Sequence, residues 1–331
     1  MRKLLEKRNT IYGVCAVWIV LFHIFRRISM PYIPVVTNIV GIGNMAVDVF
    51  FFFSGLCLSL SAEKHDYRKT GWSMYYNRRF LRVLVPYLII CVPYYLWAAV
   101  FEHSGGMIRK AVVFLVNLSS AAFWLRGTQT TWYLYGIVVF YLLFPLLYGF
   151  SVKNGRARKV GLLAGLILFA VITAYTPILK NSMIVWARLP IFTIGVFAGT
   201  ERIRERMPNS LETAAAAITV LLLGWVTSAS EISESFTMPQ VYRLLLYIPL
   251  TLALLVLASR AGGRISVFEW IGGVSLEVYL IHITLLHPFK YYGVIDAVGY
   301  GLYLLLPVVA LGLAWIVRQI ENVVWRGKNT A

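Results

Sequence analysis

Residues 40–61 read VGIGNMAVDVFFFFSGLCLSLS, a stretch in which Asp48 is the only charged side chain. Four consecutive phenylalanines, at 50–53, leave such a helix no polar face to turn toward water. Its length meets the ~20 apolar residues a helix needs to cross a hydrocarbon core. Further apolar runs lie near 11–28, 80–101, 108–124, 131–150, 159–177, 183–199, 211–228, 242–259, 268–287 and 295–318. Over all 331 residues, 59% are hydrophobic and 14% charged, whereas a soluble domain is about half apolar and about a quarter charged. The sequence therefore predicts an all-α, polytopic membrane helix bundle, a single integral membrane unit over 1–331. Disordered, coiled-coil, collagen-like and disulfide-stapled classes are excluded. No internal repeat is visible, and the loops are too short for a separate soluble module, so any chemistry belongs to the bundle.

The net charge of +17 does not point to nucleic acid, because every basic cluster sits in a short loop between apolar runs. Such loops mark the cytoplasmic side of a membrane protein. They are the start through Arg8, 63–82, 152–159, 201–206 with Arg202, Arg204 and Arg206, 260–264, and the tail from Arg318. If every run crossed, the 152–159 loop would fall outside. If the 108–124 run, interrupted by Asn117, Ser119 and Ser120, stays on one side, all these loops fall inside and the acidic loop with Glu231 and Glu234 falls outside. The expectation is thus about ten spans in the plasma membrane, both termini cytoplasmic, with a re-entrant or outer-surface segment between Glu102 and Thr130. The first run is followed by Arg26, Arg27, Met30 and Pro31 with no small-residue cleavage site, which reads as a retained helix. Cys15, Cys57 and Cys91 lie inside apolar runs with no metal-type spacing, so no metal is expected.

Charges within a bilayer are costly and mark functional candidates. His23, Asp48, Arg188 and His282 fall on four different runs. At ~1.5 Å per residue all four lie in the outer half of the bilayer. Each also has a plainer reading: a histidine bonding a neighbouring helix, or an Asp48–Arg188 ion pair. Glu277 is two residues from Ser275, ~200° around a helix, and should face away from the Ser275–Tyr279–His282 stripe and pair with another helix. Arg78, Arg79 and Arg82 begin the third run. They suit either a topology anchor on lipid phosphates or a site for a multiply phosphorylated ligand. Trp124, Trp132 and Tyr133 suit an outer interfacial belt, and Trp132 and Tyr133 are also candidate substrate contacts.

Taken in order, several segments resemble acyltransferase family 3 of integral membrane proteins. They are Gly13 to His23 (GVCAVWIVLFH), Val47 to Gly55 (VDVFFFFSG), Arg78 to Tyr87 (RRFLRVLVPY), and Thr131-Trp132-Tyr133 with Tyr141 and Pro145. Arg188-Leu-Pro190-Ile-Phe192 with Gly195 follows, then Ser275 to His282 (SLEVYLIH). One departure stands out: the family usually carries an arginine eleven positions before the first histidine, where this chain has Tyr12. Arg8, one turn away, is the candidate replacement.

The resemblance implies transfer of an acyl group, acetyl by default, from cytoplasmic acyl-coenzyme A to a hydroxyl of a glycan, cell-envelope component or small molecule. Arg78, Arg79 and Arg82 would hold the donor's phosphates. His23 would be the general base, with Asp48 orienting it, Arg188 or Tyr279 stabilising the oxyanion, and His282 a second acid or acceptor contact. Ser54 would pack beside Gly55. A transporter or flippase for an acyl or lipid-linked substrate is the competing function, and a structural role without chemistry the third. Oligomeric state, a homo-oligomer included, stays open.

Overall fold

The computed structural model describes residues 2–28, 33–127, 130–201, 208–232 and 238–329. The expected basic loop with Arg202, Arg204 and Arg206 lies outside the described residues, as do Met30, Pro31 and Glu234. Among the described residues every regular element is helical. The helices are α1 (Arg8–Phe25), α2 (Pro34–Gly41), α3 (Ala46–His65), α4 (Ser73–Phe101), α5 (Met107–Leu118), α6 (Ala121–Arg126), α7 (Trp132–Lys153) and α8 (Arg156–Tyr175). Then come α9 (Met183–Trp186), α10 (Leu189–Thr200), α11 (Ser210–Ile232), α12 (Gln240–Arg260), α13 (Ser266–Gly273), α14 (Ser275–Tyr291) and α15 (Leu302–Asn329). Very short helical turns complete the connections.

Among the described residues nine passages are long and apolar enough to cross a bilayer, and the bent pair α13–α14 makes a tenth when taken as one span. These coincide with ten of the eleven predicted runs. Leu142, Leu146, Leu168, Ile172, Leu221, Trp225, Leu304 and Val308 are exposed, as a bundle bathed in acyl chains requires. The protein is a multi-pass membrane protein. With ten passages the start of α1 and the end of α15 share one face, called the first face below.

The eleventh run behaves as its polar interruptions predict. It forms α5 and α6, separated by Ser119 and Ser120, the latter in the left-handed region at φ 69°. Twelve residues of α5 reach only ~18 Å, short of the ~30 Å core. None of its residues is buried. Its C-terminal end is fastened instead by phenols from α4 and α7: Tyr87 donates to the Leu118 carbonyl (2.7 Å) and Tyr135 to that of Asn117 (3.3 Å).

Two helix crossings rely on absent side chains. Where α1 meets α13, a Cβ at Gly13 would strike the backbone of Phe268, and one at Gly272 the backbone of Asn9. Where α3 meets α10, Gly55 and Gly195 lie against the backbones of Phe192 and Phe52. In a bilayer such close backbone approach replaces the hydrophobic drive available in water. Ser59 adds hydrogen bonds to the carbonyls of Gly55 and Val196, both at 3.1 Å.

Two predicted straight spans are broken. The 183–199 run splits into α9 and α10 at Arg188. The 268–287 run bends by 71° between α13 and α14, where Gly272 and Gly273 weaken the helix and α13 packs across α1. His282 consequently stands eight residues above Val274 on α14 rather than fourteen residues up a straight helix.

Gly13→Leu should force α1 and α13 apart at a cost of about 2 kcal/mol or more. It should lower the midpoint of thermal unfolding in detergent, while Gly161→Ala, in open space, does not lower it. Single cysteines at Ser104 and Leu125 should both react with an impermeant maleimide from the side opposite to a cysteine at Lys153.

Candidate active site

The four intramembrane ionisable residues form two pairs. In the first, Arg188 Nε lies 3.3 Å from Asp48 Oδ2, and both side chains are wholly buried. The guanidinium also donates to the Ile184 carbonyl (3.0 Å) and reaches that of Asn44 (3.5 Å). Both carbonyls sit where helices break, Ile184 in α9 and Asn44 in the turn before α3. Asp48 lies in the first turn of α3, where the helix dipole favours a carboxylate. Of the two sequence readings for Asp48, hydrogen-bonding to a histidine or ion-pairing with Arg188, the structure displays the ion pair.

In the second pair, His282 Nε2 lies 2.9 Å from His23 Nδ1, and His282 Nδ1 lies 2.8 Å from the Val278 carbonyl. A carbonyl only accepts, so His282 Nδ1 carries the hydrogen. In a neutral ring its Nε2 is then a lone pair, which must accept from His23 Nδ1–H. His23 Nε2 is left unprotonated. The hydrogen-bond chain thus selects the His23 tautomer with a basic nitrogen at the far side of its ring.

An unbroken ladder of rings joins the two pairs. The Arg188 guanidinium lies 4.7 Å from the centroid of Trp132. Trp132 meets Tyr133 at 6.4 Å, Tyr133 meets Tyr279 edge-on at 5.1 Å, Tyr279 meets His282 edge-on at 5.8 Å, and His282 meets His23 at 5.0 Å. Trp132 does not sit at an interface as expected: it is only 6% exposed, held under Arg188 inside the bundle. The fixed guanidinium outcompetes the headgroup layer for its ring face.

Tyr133 and Tyr279 form the apex of a cavity of about 350 Å3 whose other end carries Arg79 and Arg82. Arg78 is exposed and lies off this lining. His23, His282, Asp48 and Arg188 do not line it; the cavity stops one ring short of the histidines, at Tyr279. Ser54, expected chiefly to pack beside Gly55 with a covalent route as the lesser alternative, lines it as well. Arg8 and Tyr12 form one wall, with the Arg8 guanidinium 5.9 Å from the Tyr12 ring and 3.7 Å from Cys57 Sγ. The cation therefore stands beside Tyr12, the residue found where the resemblance leads one to expect an arginine.

Glu277 departs from expectation in part. It pairs with another helix, 3.3 Å from Arg318 on α15, yet it also lines the cavity together with Ser275 and Tyr279. The bend explains this, since the first turn of α14 projects into the cavity instead of running along its wall. Arg318, read from sequence as a tail residue, lines the same cavity, bonds Glu321 (3.1 Å) and donates to the Gly273 carbonyl at the bend. The Gly272-Gly273 doublet was the signal for this break; nothing local marks Arg318.

No curated protein and no solved structure matches the chain in comparison. The family model of acyltransferase family 3, described as an acyltransferase domain, matches residues 11–318. That stretch contains both pairs, the ring ladder and the cavity residues Arg79, Arg82 and Arg318, while Arg8 precedes it. On a match covering nearly the whole sequence, the chain belongs to this acyltransferase family and is a membrane acyltransferase.

Proposed function

We propose that the protein is an O-acyltransferase that passes an acyl group, acetyl by default, from acyl-coenzyme A to a hydroxyl of a cell-envelope glycan or related acceptor. The single observation that carries the reading is the ladder: Tyr279 touches the basic cavity on one side and His282 on the other. In this reading the first face is cytoplasmic, in the plasma membrane, in keeping with its basic loops. The donor's phosphates rest on Arg79 and Arg82, and Arg8 lies further along the same wall. The pantetheine arm follows the cavity upward past Tyr279 and presents the thioester toward His23, in surroundings poor in water.

His23 Nε2 takes the proton of the acceptor hydroxyl, and the oxygen attacks the thioester carbonyl. The Tyr279 hydroxyl donates to the developing oxyanion. As the carbon–oxygen bond forms, the carbon–sulfur bond breaks. Coenzyme A leaves as a thiolate and recovers the proton from the His23 imidazolium. His282 holds the ring of His23 in its basic tautomer, the service an acid renders in a catalytic triad. Asp48, Arg188 and Trp132 act as positioning residues, fixing the broken ends of α3, α9 and α10 beneath Tyr133. No step calls for a metal.

The test is purified protein with radiolabelled acetyl-coenzyme A and a panel of hydroxyl acceptors. His23→Ala should cut acceptor-dependent release of coenzyme A by about 10²- to 10⁴-fold; turnover at the wild-type rate would exclude His23 as the base. Cys57, half-buried on the cavity wall, gives a readout of donor binding independent of chemistry. Coenzyme A should slow its alkylation by maleimide. Arg79→Ala with Arg82→Ala should raise the concentration needed for protection, more steeply in high salt. Protection identical to wild type would reduce those arginines to a topology signal.

A further inference from the structure

The donor cavity holds a carboxylate that phosphate binding does not explain. Among the described residues its wall carries four arginines, Arg8, Arg79, Arg82 and Arg318, and a single acidic side chain, Glu277. A carboxylate in the wall of a site for a polyanion repels the phosphates, and Glu277, only 2% exposed, is scarcely screened by water. Nor does the bend between α13 and α14 require it for charge balance. Arg318 already has a buried counterion in Glu321, 3.1 Å from its Nη1, while its Nη2 donates to the Gly273 carbonyl. Glu277 approaches the same Nη1 at 3.3 Å, so two carboxylates share one guanidinium. Hydrogen-bond donors are short there: Glu321 Oε1 is buried without a partner. An ionised carboxylate offers about four acceptor sites. Arg318 meets Glu277 through Oε1, which leaves acceptor capacity for a group inside the cavity.

Its place along the cavity decides what Glu277 can meet. It stands two residues before Tyr279 on α14, an axial step of about 3 Å toward the first face. Arg79 and Arg82 lie at the far end of the same cavity. Phosphates held there leave the pantetheine arm to pass Glu277 on its way to Tyr279. That arm is uncharged and carries two secondary amides, whose N–H groups need acceptors once they leave water. Two methylenes, roughly 4 Å, separate the thioester sulfur from the nearer amide nitrogen. With the thioester passing Tyr279, that nitrogen falls at the level of Glu277. Ser54 and the tyrosine hydroxyls of the wall also accept hydrogen bonds, but they are neutral. A hydrogen bond to a carboxylate is about twice as strong.

We propose that Glu277 accepts the N–H of the pantetheine amide nearest the thioester, and that this hydrogen bond sets how far the thioester reaches toward His23. Arg318 is the positioning residue that holds the carboxylate in the wall. The proposal rests on the donor reading above and adds to it a binding residue for the arm, separate from the arginines that hold the phosphates.

The experiment uses the purified full-length protein and the alkylation of Cys57 by maleimide. Two probes without a free thiol are compared: acetyl-coenzyme A, and its analogue in which an ester oxygen replaces the amide nitrogen nearest the sulfur. Wild type should need roughly tenfold or more of the ester analogue for equal protection. In Glu277→Leu both probes should protect at the same concentration, because the acceptor that tells them apart is gone. Glu277→Gln, which keeps a carbonyl acceptor, should retain part of the preference. Equal protection by the two probes in wild type would overturn the proposal without recourse to any variant. So would a full preference persisting in Glu277→Leu, the result expected if Glu277 served only the bend. Failure of both probes to protect Cys57 in wild type would instead remove the donor reading itself, and the proposal with it.

Discussion

Hydrocarbon offers no hydrogen bonds, so every polar group in the bundle must find its partner within the protein. That constraint shapes the site. Breaking a membrane helix frees carbonyls that cost several kcal/mol each if left bare, and this protein breaks its helices beside the ring ladder. Arg188 meets the cost at one break, serving Ile184 and Asn44 while Asp48 balances its charge. Arg318 meets it at the other, donating to Gly273 while also pairing with Glu277 and Glu321. An ion pair buried this completely is weak as a source of net stability. Its value lies in fixing where broken helices end, and so where Trp132, Tyr133 and Tyr279 begin.

The same accounting sets the proton inventory of the histidine pair. One backbone acceptor, Val278, fixes the tautomer of His282, and His282 in turn fixes that of His23. Two neutral rings in series leave a single basic nitrogen. Hydrogen bonding at one carbonyl, rather than a neighbouring carboxylate, is what directs it. Asp48 is occupied with Arg188, so this family member separates the jobs of charge balance and histidine orientation between two residue pairs.

Much of this was legible in the sequence because it follows from composition and depth. The helical class, the ten spans and the failure of the 108–124 run to cross all came from apolar length set against the placement of lysine and arginine. The four intramembrane ionisable residues stood out for their cost alone. Their pairing did not, because depth along a helix says nothing about azimuth between helices. The bend before α14 misled the reading of Glu277, since a face calculated for a straight helix fails at its first turn. Trp132 was misplaced because interfacial tryptophan is a statistical expectation, and a buried guanidinium above the ring overrides it. Arg318 was invisible as a cavity residue: the two partners that hold it at the bend, Gly273 and Glu277, lie more than forty positions away.

The crossing of α1 and α13 has a mechanical consequence. Gly13 and Gly272 bring two backbones together there, and each histidine stands ten residues further along, on α1 and on the α14 continuation of α13. The crossing is a fulcrum, and the two histidines ride on lever arms of roughly 12–15 Å. A rotation of about 10° at the fulcrum moves an arm's tip by ~2.5 Å, enough to sever a hydrogen bond. The contact between the two rings is thus gauged by the absence of two side chains remote from the chemistry, and a single methyl group there would be amplified at the tips.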